Sequence, residues 1–200
     1  MTNGFRPWVG PNYAEGLDGL RVLVLGESHY VKPEWDFGDE QTIRSIQDNA
    51  IGDGKYAFFT KAAKLILGRF DDLPHEVRID FWNRVAFYNF VQESVGLDPR
   101  MRPTAAMWEA AQPRFLEQLE VLKPHCVVVL GKRIWQSLPV ASDQRMQPYE
   151  MKMYTTGQGT VVASYTNHPS WAGFSYAPVA PRIEALLKEA RQAALAGMEK

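Results

Sequence analysis

Three short stretches hold the residues best suited to chemistry: "GESHY" at 26–30, "FYNF" at 87–90 and "TNHPS" at 166–170. Gly26 lets the backbone leave an apolar run and approach a ligand closely. Glu27 and His29 are ionisable groups in a turn where a pocket can shift their pKa. The plain alternative is a solvated surface turn. Asn89, set between aromatics, must either satisfy its amide locally or present it to a ligand. An amide can read a planar amide-like group such as a pyrimidine edge. His168 lies in a turn fixed by Pro169, and Ser170 could cap a helix or bond a phosphate.

The segments before these stretches explain how they could meet. "RVLVLG", "RVAFYNFVQ", "HCVVVLG" and "TVVASYT" are short apolar runs suited to strands buried on both faces. Between them lie helical patterns: "EQTIRSIQDNA", "YAFFTKAAKLIL" with a stop at Gly68, and "TAAMWEAAQPRFLEQLEVLK" with a kink or break at Pro113. "KRIWQSL" and "APRIEALLKEARQAALAG" complete the helices. Alternation of this kind predicts an α/β fold of three α/β/α layers around a central four-stranded parallel sheet. Residues 1–19, rich in Gly, Pro and aromatics, read as an N-terminal arm on a single domain spanning 1–200. Ligands in such sheets sit beyond the carboxyl ends of the strands, so Gly26–Tyr30, Asn89, "GKR" with Lys132, and Thr166–Ser170 should line one cleft.

Composition narrows the classes. The 200 residues are 46% hydrophobic and 22% charged, with a net charge of −1, the balance of an ordinary globular protein. No run approaches the ~20 apolar residues of a membrane span, and the first residues lack a secretory pattern. A cytoplasmic monomer without membrane contact is expected. The one cysteine, Cys126, excludes an intrachain disulfide or a cysteine-built metal site within one chain. Glu27, His29 and His168 could bind a metal, but no ligand spacing supports it, and neither metal nor other cofactor is expected. His75 and His125 read as structural or solvated.

The ordered set resembles the uracil-DNA glycosylase superfamily over about residues 20–188. "VLVLGESHY" is similar to its first motif, GQDPYH in one branch and GEAPG in another. "HPS" matches its second motif, "RVAFYNF" resembles the strand ending in the base-reading Asn, and "LKPHCVVVLGK" resembles its third strand. The resemblance implies excision of a base from DNA. His168 would donate to the carbonyl of the departing base. Asn89 would bond the base edge, in a pocket with Gly26 and Tyr30. Phe58 would stack on the base, with Phe59 or Trp35 as alternatives. Trp171 and Phe174 would belong to a duplex wedge, and Ser170 would hold a phosphate with Lys132 as a basic contact.

Ser28 stands where the uracil-specific motif has a water-orienting Asp, and His29 replaces the proline of both motifs. Glu27, shared with the GEAPG branch, is the substitute carboxylate. Two other classes stay open. "GES" resembles the start of SGNH hydrolases, with Ser28 as nucleophile and His168 as base, although Tyr165 replaces the expected Asp. Alternatively, the chain is a non-catalytic nucleic-acid or nucleotide binder that kept the cleft and lost the carboxylate.

Overall fold

The computed structural model describes residues 4–30, 36–52, 56–96 and 101–198. The chain is α/β, built on a single mixed sheet of seven strands. Its strands are β1 (Trp8–Val9), β2 (Val22–Gly26), β3 (Ala86–Asn89), β4 (Cys126–Leu130), β5 (Asp143–Arg145), β6 (Met151–Thr156) and β7 (Gly159–Thr166). The spatial order is β1-β3-β2-β4-β7-β6-β5. The four strands expected from sequence, β3, β2, β4 and β7, are adjacent and mutually parallel.

The sheet is wider than expected, because antiparallel strands extend both edges. On one side β6 folds back on β7 and β5 pairs with β6. The burial of β6 does not alternate cleanly and β5 is fully exposed, so neither carries the apolar run that marks the central strands. On the other side β1 pairs antiparallel with β3. The N-terminal arm is therefore stitched into the sheet: Gly10 N–H donates to Val85 O (3.1 Å) and Asn12 N–H to Asn83 O (2.8 Å). A side chain on Gly10 would lie 2.3 Å from Asn83 O, so only glycine permits this approach.

The helices are α1 (Gln41–Ile46), α2 (Ala57–Leu67), α3 (His75–Arg84), α4 (Ala105–Leu122), α5 (Lys132–Ser137) and α6 (Ala180–Met198). Central-strand side chains alternate between two cores. Val22, Val24, Val128 and Val162 meet Ile66, Trp82, Ile183 and Leu186 from α2, α3 and α6. Leu23, Leu25, Val127 and Val129 meet Phe115, Leu119 and Ile134 from α4 and α5. Two-sided burial is what gives these strands unbroken apolar runs.

Gly68, left-handed at φ 64°, ends α2 as expected. Helix α4 runs through Pro113 without a break. Pro113 and Glu109, whose carbonyl it leaves without an intrahelical donor, both lie on the exposed side of the helix. Helix α3 was not evident in the sequence; it buries only Arg78, Phe81 and Trp82, a stripe too short to show a period. Among the described residues no helix is long and apolar enough to cross a membrane.

Candidate active site

The chain leaves β2 toward one face of the sheet, through α1–α3, and leaves β3 and β4 toward the other, through α4 and α5. Divergent exits from neighbouring parallel strands open a crevice at their carboxyl ends. The crevice here is a cleft of about 1170 Å³. The turn after β2 (Glu27–Tyr30), Asn89 of β3, Gly131–Arg133 after β4, and Asn167, His168, Ser170 and Trp171 after β7 all line it. Four distant segments thus share one site, including both histidine-bearing turns.

Asn89 is buried, yet its side-chain amide has no protein hydrogen bond among the described residues. It is seated where Gly26 lacks a side chain: a Cβ there would stand 2.2 Å from Asn89 Oδ1. Backbone ties hold the two strand ends together, with Phe90 N–H donating to Gly26 O (2.9 Å) and Val91 N–H to Glu27 O (2.9 Å). The Gln92 amide in turn donates to Asn89 O. The main chain at Asn89 is fixed while its side chain remains available to the cleft.

The tautomer of His168 follows from its own turn. Ser170 N–H donates to His168 Nδ1 (3.2 Å), so in the neutral ring the proton sits on Nε2. Burial, aided by the positive charge of Arg102, lowers the pKa of His168 and keeps it neutral. Phe58, at the start of α2, lies 5.3 Å from the imidazole, ring centre to ring centre, with the planes 37° apart. Phe58 is held edge-on by Phe59 and Phe87, so an aromatic wall stands beside the donor. Phe59 lies deeper, in the core against Trp82. Trp35 lies outside the described residues.

Glu27 is mostly enclosed, with its side chain 13% exposed and Arg102 Nη1 3.7 Å from its Oε1. Burial pushes its carboxyl pKa up, while Arg102 and Arg133 oppose that shift. Like Glu27 Oε1, the Oγ of Ser28 is buried and has no hydrogen-bond partner among the described residues, so the hydroxyl, although Ser28 lines the cleft, is not paired with His168. This arrangement does not support a Ser–His nucleophile pair, because the base must reach the hydroxyl proton. His29 lines the cleft but is itself buried; its Nε2 bonds Thr42 Oγ1 (2.8 Å), and Phe5 packs edge-on to its ring. Burial lowers its pKa to about 4, so His29 is a neutral structural group.

Of the remaining expected residues, Tyr30 is half-buried in the cleft wall and packs against the core beneath α4. Ser170, Trp171 and Lys132 are exposed along the rim. Phe174 is not in the cleft lining; it packs on the core with Tyr176, under the Lys61 ammonium. Lys61 also donates to Pro169 O (3.0 Å), tying α2 to the His168 turn.

Several lining residues escaped the sequence reading. Arg102 precedes α4, and in the sequence it stands in "DPRMRP", whose two arginines were the available signal. Arg133 sits beside Lys132 in the basic "GKR" stretch after β4. Gln41, Arg44, Asp48 and Asn49 come from α1 and the π-helical turn Gln47–Ile51 that continues it. Such wide turns often occur at functional sites. Among the described residues no group of three or more His, Cys, Asp or Glu is placed to hold a metal ion.

His75 bonds Ile51 O (3.0 Å), and His125 Nδ1 accepts from Arg21 N–H (3.0 Å), so both are structural. Comparison with known families finds no family model that matches the chain, and no curated protein matches it.

Proposed function

We propose that this chain is a DNA glycosylase-like hydrolase that cleaves the N-glycosidic bond of uracil or another deaminated base. The observation that carries this reading is the side-chain amide of the buried residue Asn89: without a protein partner among the described residues, and lining the cleft that holds His168, Phe58 and Glu27. The amide atoms are absent from the buried, partnerless polar atoms of the fold, so they open to the cleft, where a bound ligand edge replaces water. Deaminated bases present a carbonyl beside a ring N–H, the complement of an amide that donates and accepts side by side.

In this reading the flipped base stacks on Phe58 and pairs with Asn89. The C1′–N bond breaks and its electron pair leaves with the base, whose carbonyl oxygen gains negative charge. His168 Nε2–H donates to that oxygen. The sugar becomes positively charged, and Glu27, kept toward its ionised form by Arg102, stabilises that charge and orients the attacking water. Water adds to C1′ and its proton passes, through Glu27 or solvent, to the departing base anion, leaving an abasic sugar and the neutral free base. Ser28, whose buried hydroxyl has no partner among the described residues to take its proton, is given no step.

A central four-stranded parallel sheet within three layers, the order of the four segments along the chain and the match of "HPS" support a relationship to the uracil-DNA glycosylase superfamily. The test is incubation with oligonucleotides carrying uracil, hypoxanthine, xanthine or a thymine mismatch, followed by alkali. Alkali-labile sites on at least one, lost in Asn89→Ala, are the expected result. Binding without strand breakage on any substrate would favour the non-catalytic alternative, to which the enclosed Glu27 and the Ser28 replacement also point.

A further inference from the structure

We infer that the cleft takes single-stranded DNA, with Tyr56 and Trp171 as stacking platforms for nucleotides flanking the bound base. This rests on the proposed function for the identity of the polymer, but it stands on different residues. The cleft, at about 1170 Å³, exceeds the roughly 300–1,000 Å³ of a pocket for one small molecule, so one base leaves much of it unfilled. Three exposed aromatic side chains line it: Phe37 at 43% exposure, Tyr56 at 62% and Trp171 at 56%. The Arg44 guanidinium lies over the Phe37 ring, whereas Tyr56 and Trp171 are the more open pair and come from different elements, the start of α2 and the turn after His168. Trp171 folds against Gly173, where a Cβ would stand 2.7 Å from the indole, which fixes the ring on one side.

Such rings are costly to leave in water and suit the π-face of a base. In a duplex those faces are already covered by neighbouring base pairs. One aromatic can wedge into a stack, whereas two on separate elements, outside a base pocket that has its own ring in Phe58, call for bases that are already unstacked.

The charges agree with a single backbone. Four cations line the cleft (Arg44, Arg102, Lys132 and Arg133) against two carboxylates, Glu27 and Asp48. The chain as a whole has a net charge of −1, which supplies no broad basic surface for both backbones of a duplex. A local basic groove combined with exposed aromatic platforms is how single strands are held without sequence preference.

The test is fluorescence anisotropy with a labelled, undamaged oligothymidylate and with the duplex it forms with oligodeoxyadenylate, at fixed low salt. The single strand should bind at least roughly ten-fold more tightly than the duplex. Tyr56→Ala and Trp171→Ala should each weaken single-strand binding roughly ten-fold, with Tyr56→Phe close to wild type, as expected for loss of one stacked base. Duplex binding equal to or tighter than single-strand binding, or alanine variants that bind like wild type, would overturn the inference. Because the DNA is undamaged, the readout is independent of excision. Single-strand binding with no excision of any deaminated base would sink the proposed chemistry and leave this inference standing. Excision with a duplex preference would do the reverse.

Discussion

The amide oxygen of Asn89 stands 2.2 Å from the point where a Cβ on Gly26 would lie. The glycine that ends β2 therefore makes room for the polar group that ends β3, through the register that sets Gly26 opposite Asn89. The two residues act as one feature, a backbone gap and the amide that fills it.

Gly26→Ala should consequently behave like the loss of Asn89. The added methyl displaces the amide, and excision should fall roughly a hundred-fold, the usual effect of removing one positioned hydrogen-bonding group. The double variant Gly26→Ala/Asn89→Ala should be no slower than either single one, because both remove the same interaction. Single-turnover rates of the three variants check this. Multiplicative losses would mean that the two residues act separately.

His168→Ala should slow excision by a similar roughly hundred-fold while leaving the fold intact, since the ring is held by its own turn and by Phe58 rather than by the core. Circular dichroism alongside single-turnover rates checks both halves. An unchanged rate would remove His168 from the chemistry.

In the proposed chemistry the carboxylate role falls to Glu27 and not to Ser28. Glu27→Gln should be the damaging change, and Ser28→Asp should give no gain and should destabilise the chain, because it buries a charge where a hydroxyl already lacks a partner. Arg102 opposes the effect of burial on Glu27, so Arg102→Ala should raise the Glu27 pKa further. Activity that needs the ionised carboxylate is present above that pKa and lost as pH falls through it. The acidic limb of the pH–rate profile should therefore move to higher pH in Arg102→Ala. A limb that stays in place would detach Arg102 from Glu27.

His29 gives a prediction on stability that does not involve catalysis. Burial lowers its pKa from 6.5 to about 4. Between those values the unfolded chain binds a proton at this site and the folded chain does not. The contribution is complete above pH 6.5 and falls away as pH drops toward 4, by about 3 kcal/mol in all. Urea unfolding across this range should show a shallower pH dependence in His29→Gln than in wild type. Identical slopes would show that His29 is already protonated in the fold.

Much of this site was legible because its parts sit at the ends of apolar runs. The four central strands are buried on both faces, and that burial writes itself as "RVLVLG" or "HCVVVLG"; the rule that ligands gather at carboxyl ends then brought Glu27, Asn89 and His168 together. The antiparallel edges were not legible, since β5 is exposed and β6 is only partly buried. Nor was the orientation of Ser28, because a turn residue's side chain is set by contacts from elsewhere in the chain. Phe174 and Trp171 lie three residues apart in the same loop, yet one packs under Lys61 and the other stays in solvent. Arg102 reaches Glu27 from just before α4, a pairing that no periodicity encodes.

The most direct test of the central claim is the single-turnover release of a deaminated base and of its amino-bearing parent, by wild type and by Asn89→Asp. The Asn amide donates to the carbonyl of a deaminated base and accepts from its ring N–H. A carboxylate keeps the acceptors, loses the donor, and suits the exocyclic amine of the parent base. Wild type should release the deaminated base alone, and Asn89→Asp should lose that activity while gaining measurable release of the parent. Equal loss on both substrates, or a wild type that releases no base, would contradict a cleft in which Asn89 reads the base that His168 helps to expel.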